Sequence, residues 1–361
     1  MASGARLPVA IALGVVVLFL MLDRILFGAL MPWGWLSTRV PRRDLVPAGV
    51  VADELTLQDS RAGDDVVIGA SRIGLGFHPE RLPEADTAGH RFSIFAHPGM
   101  LAIEMRSVVS AVVRRSPRLV VLGLSELDSN GYMRLQPCVA GSLSSALFDI
   151  LSIGPARFLF EHRQSLLRLG LASVANVYQF RRVIRSAGLD RSTHFDLAKR
   201  LPNPSSLGAV AAFRRSMIRG PFFALPGREY RDILARLRKR FPGRMPVKER
   251  PYFHLVRSVT KGDHAVLQQG LLSASVEDLV AAGIPVVIVE LPIYPLSVRL
   301  YDPEIRVEFH RWVDEMRELY GVRFVPLEQQ PDYEDPDFVD MTHLNRRGAA
   351  KLTRVIVDAV R

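Results

Sequence analysis

Apolar residues first gather at the N-terminus: residues 7–22, LPVAIALGVVVLFLML, form an unbroken run. After Asp23 and Arg24 apolar character resumes over 25–36 and ends at Trp33 and Trp35. A spanning helix needs about 20 apolar residues, and tryptophans suit the membrane interface. Residues 1–36 therefore predict a membrane anchor. A cleaved signal peptide is the competing reading, but no small-x-small cleavage site follows the apolar core. Residues 37–63, with Pro41 and Pro47, predict a linker.

Beyond it the pattern becomes that of an α/β domain over 64–361. Short apolar runs at 65–68, 92–96, 119–124, 285–291 and 323–326 predict strands. Helical spacing at 100–114, 276–282, 307–320 and 345–360 predicts helices, the last with Ala349, Leu352, Val355, Ile356 and Ala359 on one face. Strands alternating with helices predict a doubly wound parallel sheet. The middle, about 140–261, breaks this rhythm. Its spacing predicts helices over 156–187, 205–218 and 228–240 and a loop over 241–252, a helical insertion on the core. Phe158, Leu166, Leu169, Val177 and Phe180 alternate there with Arg157, Arg163, Arg168, Arg181, Arg182 and Arg185. The insertion is expected beside the mouth of the site described next, facing lipid; extra packing with a solvated arginine face is the plainer alternative.

Composition adds a little. With 48% hydrophobic and 23% charged residues among 361, the chain is globular in type. Its net charge of +10 is spread along the chain without a nucleic-acid motif, which favours an anionic lipid surface over nucleic acid, with a solvated basic surface that binds no partner as the plainer alternative. Cys138 is the single cysteine, so no intrachain disulfide or thiolate cluster forms. His78, His90, His97, His254, His264 and His310 lack metal-ligand spacing and are read as surface or structural residues. Gly74 and Gly76 lack the rest of a dinucleotide fingerprint. No cofactor and no metal are expected.

Two short segments carry candidate chemistry. Gly69-Ala70-Ser71 follows the first strand, at the sheet edge where ligands bind, on a tight turn that Gly69 is expected to permit. A serine there is more often a helix N-cap. Near the other end, Asp340 and His343 in DMTHLNRRGA precede the final helix. Such a pair can fix an imidazole that faces a serine. Arg72 is read as a surface ion-pair partner, with an anionic substrate group as its other use.

Together these segments resemble the SGNH (GDSL-type) hydrolase superfamily, in particular its bacterial envelope-associated, alginate-acetylation-like branch. The family's first block, Gly-Asp-Ser, matches Gly69-Ala70-Ser71, and its last, Asp-x-x-His, matches Asp340 and His343. Gly99 in HPGM matches the second-block glycine, and Gly123-Leu124-Ser125-Glu126 aligns with the third block, Gly-x-Asn-Asp. The resemblance covers about 64–137 and 274–361. It implies Ser71 as nucleophile, His343 as base, Asp340 as its orienting carboxylate, and an oxyanion hole from the N–H groups of Ser71 and Gly99 with the Ser125 hydroxyl.

Two departures stand out. Ala70 replaces an aspartate that does no chemistry, and Ser125 replaces the oxyanion asparagine with a shorter donor. Losing one well-placed donor costs about 10²–10³ in rate. The expected function is a membrane-anchored serine esterase or O-acyltransferase acting on acyl esters of envelope glycan or lipid, with a membrane acyl-donor protein as a partner implied by resemblance. A catalytically inert SGNH-like scaffold or assembly subunit of a membrane complex is the alternative. The resemblance implies an extracytoplasmic domain, whereas Arg39, Arg42 and Arg43 after the anchor argue for the cytoplasm.

Overall fold

In the first strand, Val66 and Ile68 face one hydrophobic core and Val67 the other, so the two-residue period of a strand sets the layers. The computed structural model describes residues 14–22, 63–83, 89–96, 100–129, 143–174, 262–295, 303–338 and 342–361. Five strands, β1 (Asp65–Gly69), β2 (Phe92–Ala96), β3 (Leu119–Leu124), β4 (Val286–Glu290) and β5 (Arg323–Val325), pair in the order β2-β1-β3-β4-β5. All four pairings are parallel. Both faces of this sheet are covered, as all-parallel sheets require, and the architecture is that of a doubly wound α/β domain.

One face carries α2 (Ala102–Arg115), α7 (Asp263–Ala281) and α8 (Pro303–Tyr320), whose buried Val108, Leu272 and Phe309 share a core with Val66, Ile68 and Leu122. The other carries α1 (Ser71–Gly76) and α9 (Arg346–Val360), where Ile73, Leu352 and Ile356 pack on Val67, Val121 and Val287. The strands fall within a residue of the apolar runs. Helix α7 is much longer than residues 276–282 suggest, because Leu267, Leu271 and Leu272 continue its buried stripe toward Asp263. Gly283, at φ 75°, ends it in the left-handed region.

The insertion begins as three described helices, α4 (Leu143–Ile153), α5 (Ala156–Glu161) and α6 (Arg163–Val174). The single helix expected from 156 onward is broken at His162. Phe158 in α5 and Leu166 in α6 are both buried in the core. Through Ile150, Phe158 and Leu166 these helices join the core of α2 and α7, the face opposite α1. Residues 175–261, including the expected helices and loop there, lie outside the described residues. So does most of the expected anchor. Residues 14–22 are helical, and no helix among the described residues is long and apolar enough to cross a membrane.

Glu104 is buried at the start of α2, where its carboxylate accepts the Leu101 N–H at 2.9 Å. Burial pushes its pKa up to about 7, against a usual 4.5. Below 4.5 both folded and unfolded chains hold this proton; between 4.5 and about 7 only the folded chain does, so rising pH costs stability. Glu104→Gln keeps the acceptor and never ionises. The variant is expected to gain thermal stability over wild type at about pH 8, and much less at about pH 5. Equal gains at both pH values would contradict this assignment.

Candidate active site

The chain leaves β1 for β2 on one side and returns to β3 on the other, so the sheet changes direction between β1 and β3. Ligands of doubly wound sheets bind outside the carboxyl ends of the strands at that point. Ser71 follows β1 there and Ser125 follows β3.

Ser71 is the first residue of α1, not its cap: the N-cap is Ala70, whose side chain makes no capping bond. N–H groups in a helix's first turn have no acceptor within the helix. Gly69 acts differently from the turn residue expected. It belongs to β1, and its backbone is not among the positive-φ glycines. Its role is space. A Cβ on Gly69 or on its β3 neighbour Gly123 would collide with the Ile73 side chain. Ile73 is fully buried across both strand ends, which seats α1 against them and fixes where Ser71 points. Gly76 likewise lets α9 approach, since a Cβ there would meet Leu352 at 2.8 Å. The His78 N–H then donates to Thr353 Oγ1 of α9 at 3.0 Å.

His343 arrives on a loop built as a closed unit. Phe338 and Leu344 form an antiparallel bridge, and the Asn345 N–H donates to the Asp337 carbonyl at 2.8 Å. Asn345 caps α9 by accepting the N–H groups of Arg347 at 2.9 Å and Gly348 at 3.3 Å, and its amide donates to the Pro336 carbonyl at 2.5 Å. The buried Asp337 carboxylate pairs with Arg347 at 2.9 Å and Lys351 at 2.8 Å. Asn345→Ala is expected to cost about 1–2 kcal/mol in denaturant-induced unfolding, a typical loss for an N-cap. Asn345→Ser keeps a capping oxygen without the amide donor and should recover part of it; an alanine variant as stable as wild type would refute the capping role.

With the loop so held, His343 Nε2 lies 2.8 Å from Ser71 Oγ. The Thr342 hydroxyl lies 3.3 Å from Nδ1. In the tautomer with its proton on Nδ1, the ring accepts the Ser71 hydroxyl proton at Nε2, as a general base must. Asp340 and Gly99, the expected orienting carboxylate and second-block glycine, lie outside the described residues.

Ser125 is described, and its surroundings differ from those expected of an oxyanion donor. The sequence Ser125-Glu126-Leu127-Asp128 is a capping box on the short helix α3 (Glu126–Ser129). Ser125 Oγ accepts the Leu127 N–H at 3.0 Å, while the Asp128 carboxylate accepts the Ser125 N–H at 2.7 Å. The hydroxyl also faces Asp128 at 3.3 Å as donor and accepts from Arg72 at 2.6 Å. Its hydrogen-bonding capacity is thus used within the protein. Arg72 in turn is neither a surface residue nor aimed at a ligand: it pairs with Asp128, and the two side chains are only 7% and 6% exposed. Asp128 escaped the reading of the sequence, although Ser-x-x-Asp is a recognisable capping signal.

Further along the edge, Glu290 ends β4 fully buried and accepts from Arg306 at 3.2 Å, His310 at 3.2 Å and the Leu327 N–H at 3.0 Å. Burial opposes its ionisation, but the His310 and Leu327 bonds with the Arg306 charge outweigh it and hold the carboxyl below its usual range. The same hydrogen bond raises the pKa of His310. This cluster ties α8 to the sheet. His78 and His90 are also structural, on the Leu75 carbonyl at 2.9 Å and Asp65 at 2.8 Å respectively. No group of three or more metal-ligating side chains occurs among the described residues. Compared with known proteins, the chain matches no protein-family model and no curated protein.

Proposed function

We propose that this chain is an SGNH-type serine esterase or O-acyltransferase, held at a membrane by residues 1–36, that acts on acyl esters of envelope glycan or lipid. The observation that carries the proposal is the 2.8 Å contact between Ser71 Oγ and His343 Nε2 at the carboxyl edge of a parallel sheet. A serine and a base within hydrogen-bond reach, on a sheet's ligand-binding edge, are the minimum for nucleophilic acyl transfer.

In this reading His343 takes the Ser71 proton as Oγ attacks the ester carbonyl. The carbonyl–alkoxy bond breaks, the leaving alcohol receives the proton from His343, and Ser71 keeps the acyl group. A second hydroxyl then attacks the acyl-serine, giving up its proton through His343 and restoring Ser71. Water as that hydroxyl makes the reaction hydrolysis; a sugar hydroxyl makes it transfer. By resemblance Asp340 orients the imidazole, the N–H groups of Ser71 and Gly99 receive the oxyanion, and a membrane acyl-donor protein supplies the ester on the extracytoplasmic side.

One observation favours the inert-scaffold reading instead: the Ser125 hydroxyl is used in a capping box and by Arg72. A fluorophosphonate probe separates the two. Covalent labelling of wild type that Ser71→Ala abolishes supports the enzyme; wild type that stays unlabelled, while folded, leaves the scaffold.

A further inference from the structure

We propose that Arg72 and Asp128 are positioning residues for Ser71, and that the third block acts through this buried ion pair in place of a Ser125 hydroxyl donor. The inference rests on Ser71 being the nucleophile.

Arg72 directly follows Ser71, and its side chain turns away from the edge into the protein. One guanidinium nitrogen holds Ser125 Oγ at 2.6 Å and the other pairs with Asp128. Asp128 also accepts the Ser125 N–H at 2.7 Å, the first amide beyond β3. The backbone beside the nucleophile is therefore tied to the ends of both β1 and β3, with a planar fork gripping two acceptors at once. A lysine would supply the charge without that geometry.

Ile73 locks the same turn from the opposite side, packed over Gly69 and Gly123. The backbone of Ser71 thus lies next to both an apolar wedge and an ion pair, which together hold the turn that presents its Oγ to His343. A reacting atom displaced by about 1 Å can cost about 10²-fold in rate. A hydroxyl already accepting from Arg72 and Leu127 and facing Asp128 would have to abandon a buried charge pair to reach an oxyanion. The same residues therefore act more directly by holding the turn.

The test is the rate of fluorophosphonate labelling of the full chain over a range of probe concentrations. In that reaction Ser71 Oγ bonds to phosphorus, fluoride leaves and His343 takes the proton. The informative variant is Arg72→Met with Asp128→Asn, which removes the pair without stranding a buried charge. Its limiting labelling rate is expected to fall about 10- to 100-fold while the half-saturating probe concentration stays unchanged, measured well below its own melting temperature. A purely structural role would lower the melting temperature and leave that rate intact in the folded fraction. Ser125→Ala is expected to lose less than the double variant. Should the double variant fail to fold, Arg72→Lys carries the same comparison. A double variant, or Arg72→Lys in its stead, that labels at the wild-type limiting rate overturns the inference, as does an equal or greater loss in Ser125→Ala. Failure of the wild type itself to label overturns the reading of Ser71 and this inference with it.

Discussion

His343→Ala is expected to slow fluorophosphonate labelling of Ser71 by about 10⁴-fold or more, because a nucleophile and its base act as one unit. The expectation follows from the 2.8 Å contact between the two side chains. Without the imidazole the hydroxyl keeps its proton at neutral pH and attacks poorly. Thermal stability is a useful control, since His343 is only half-buried. A variant that melts like wild type and labels like wild type would remove His343 from the chemistry.

Gly123→Val should be the most damaging single substitution near the site that touches no reactive group. Even a Cβ at position 123 overlaps the Ile73 side chain, and Ile73 is fully buried. Overpacking typically costs about 1–3 kcal/mol. Valine, with two further carbons against Ile73 and Leu291, should lie at or beyond the top of that range. The relief must come from α1, so Ser71 should also drift from His343. Gly123→Ala is the milder form, and Ile73→Val beside it should restore part of both stability and labelling. The two positions are in contact, so their effects should deviate from additivity, which a double-mutant cycle measures. Simple additivity would mean that α1 is not wedged as described.

The sequence revealed the sheet because buried parallel strands are continuous apolar runs, as in Val120–Leu122 and Val286–Val289. The pairing of Ser71 with His343 was expected through the family resemblance, since the sequence pattern placed a serine at a strand end and a histidine before a helix without linking them. What it hid has a common cause. Arginine and aspartate read as surface residues, so the buried pairing of Arg72 with Asp128 could not be inferred from their types. Gly69 looked like a turn residue, whereas its role is to leave space for Ile73, a residue four positions on and invisible to any local rule. The break at His162 was equally obscure, since helical spacing continues across it. Phe158 and Leu166, on either side of it, are buried in one core, so the apolar pattern does not mark the break.

The contact between Ser71 and His343 joins positions 272 residues apart. During synthesis the serine, its turn and β1 leave the ribosome well before the imidazole and α9. Domains generally fold as units once their parts are present. The hydroxyl therefore stays without its base until 272 further residues have been added. A chain halted before α9 would carry the serine but lack the helix whose Leu352 and Thr353 secure α1. The contact is thus withheld in time as well as in space, and its formation awaits α9.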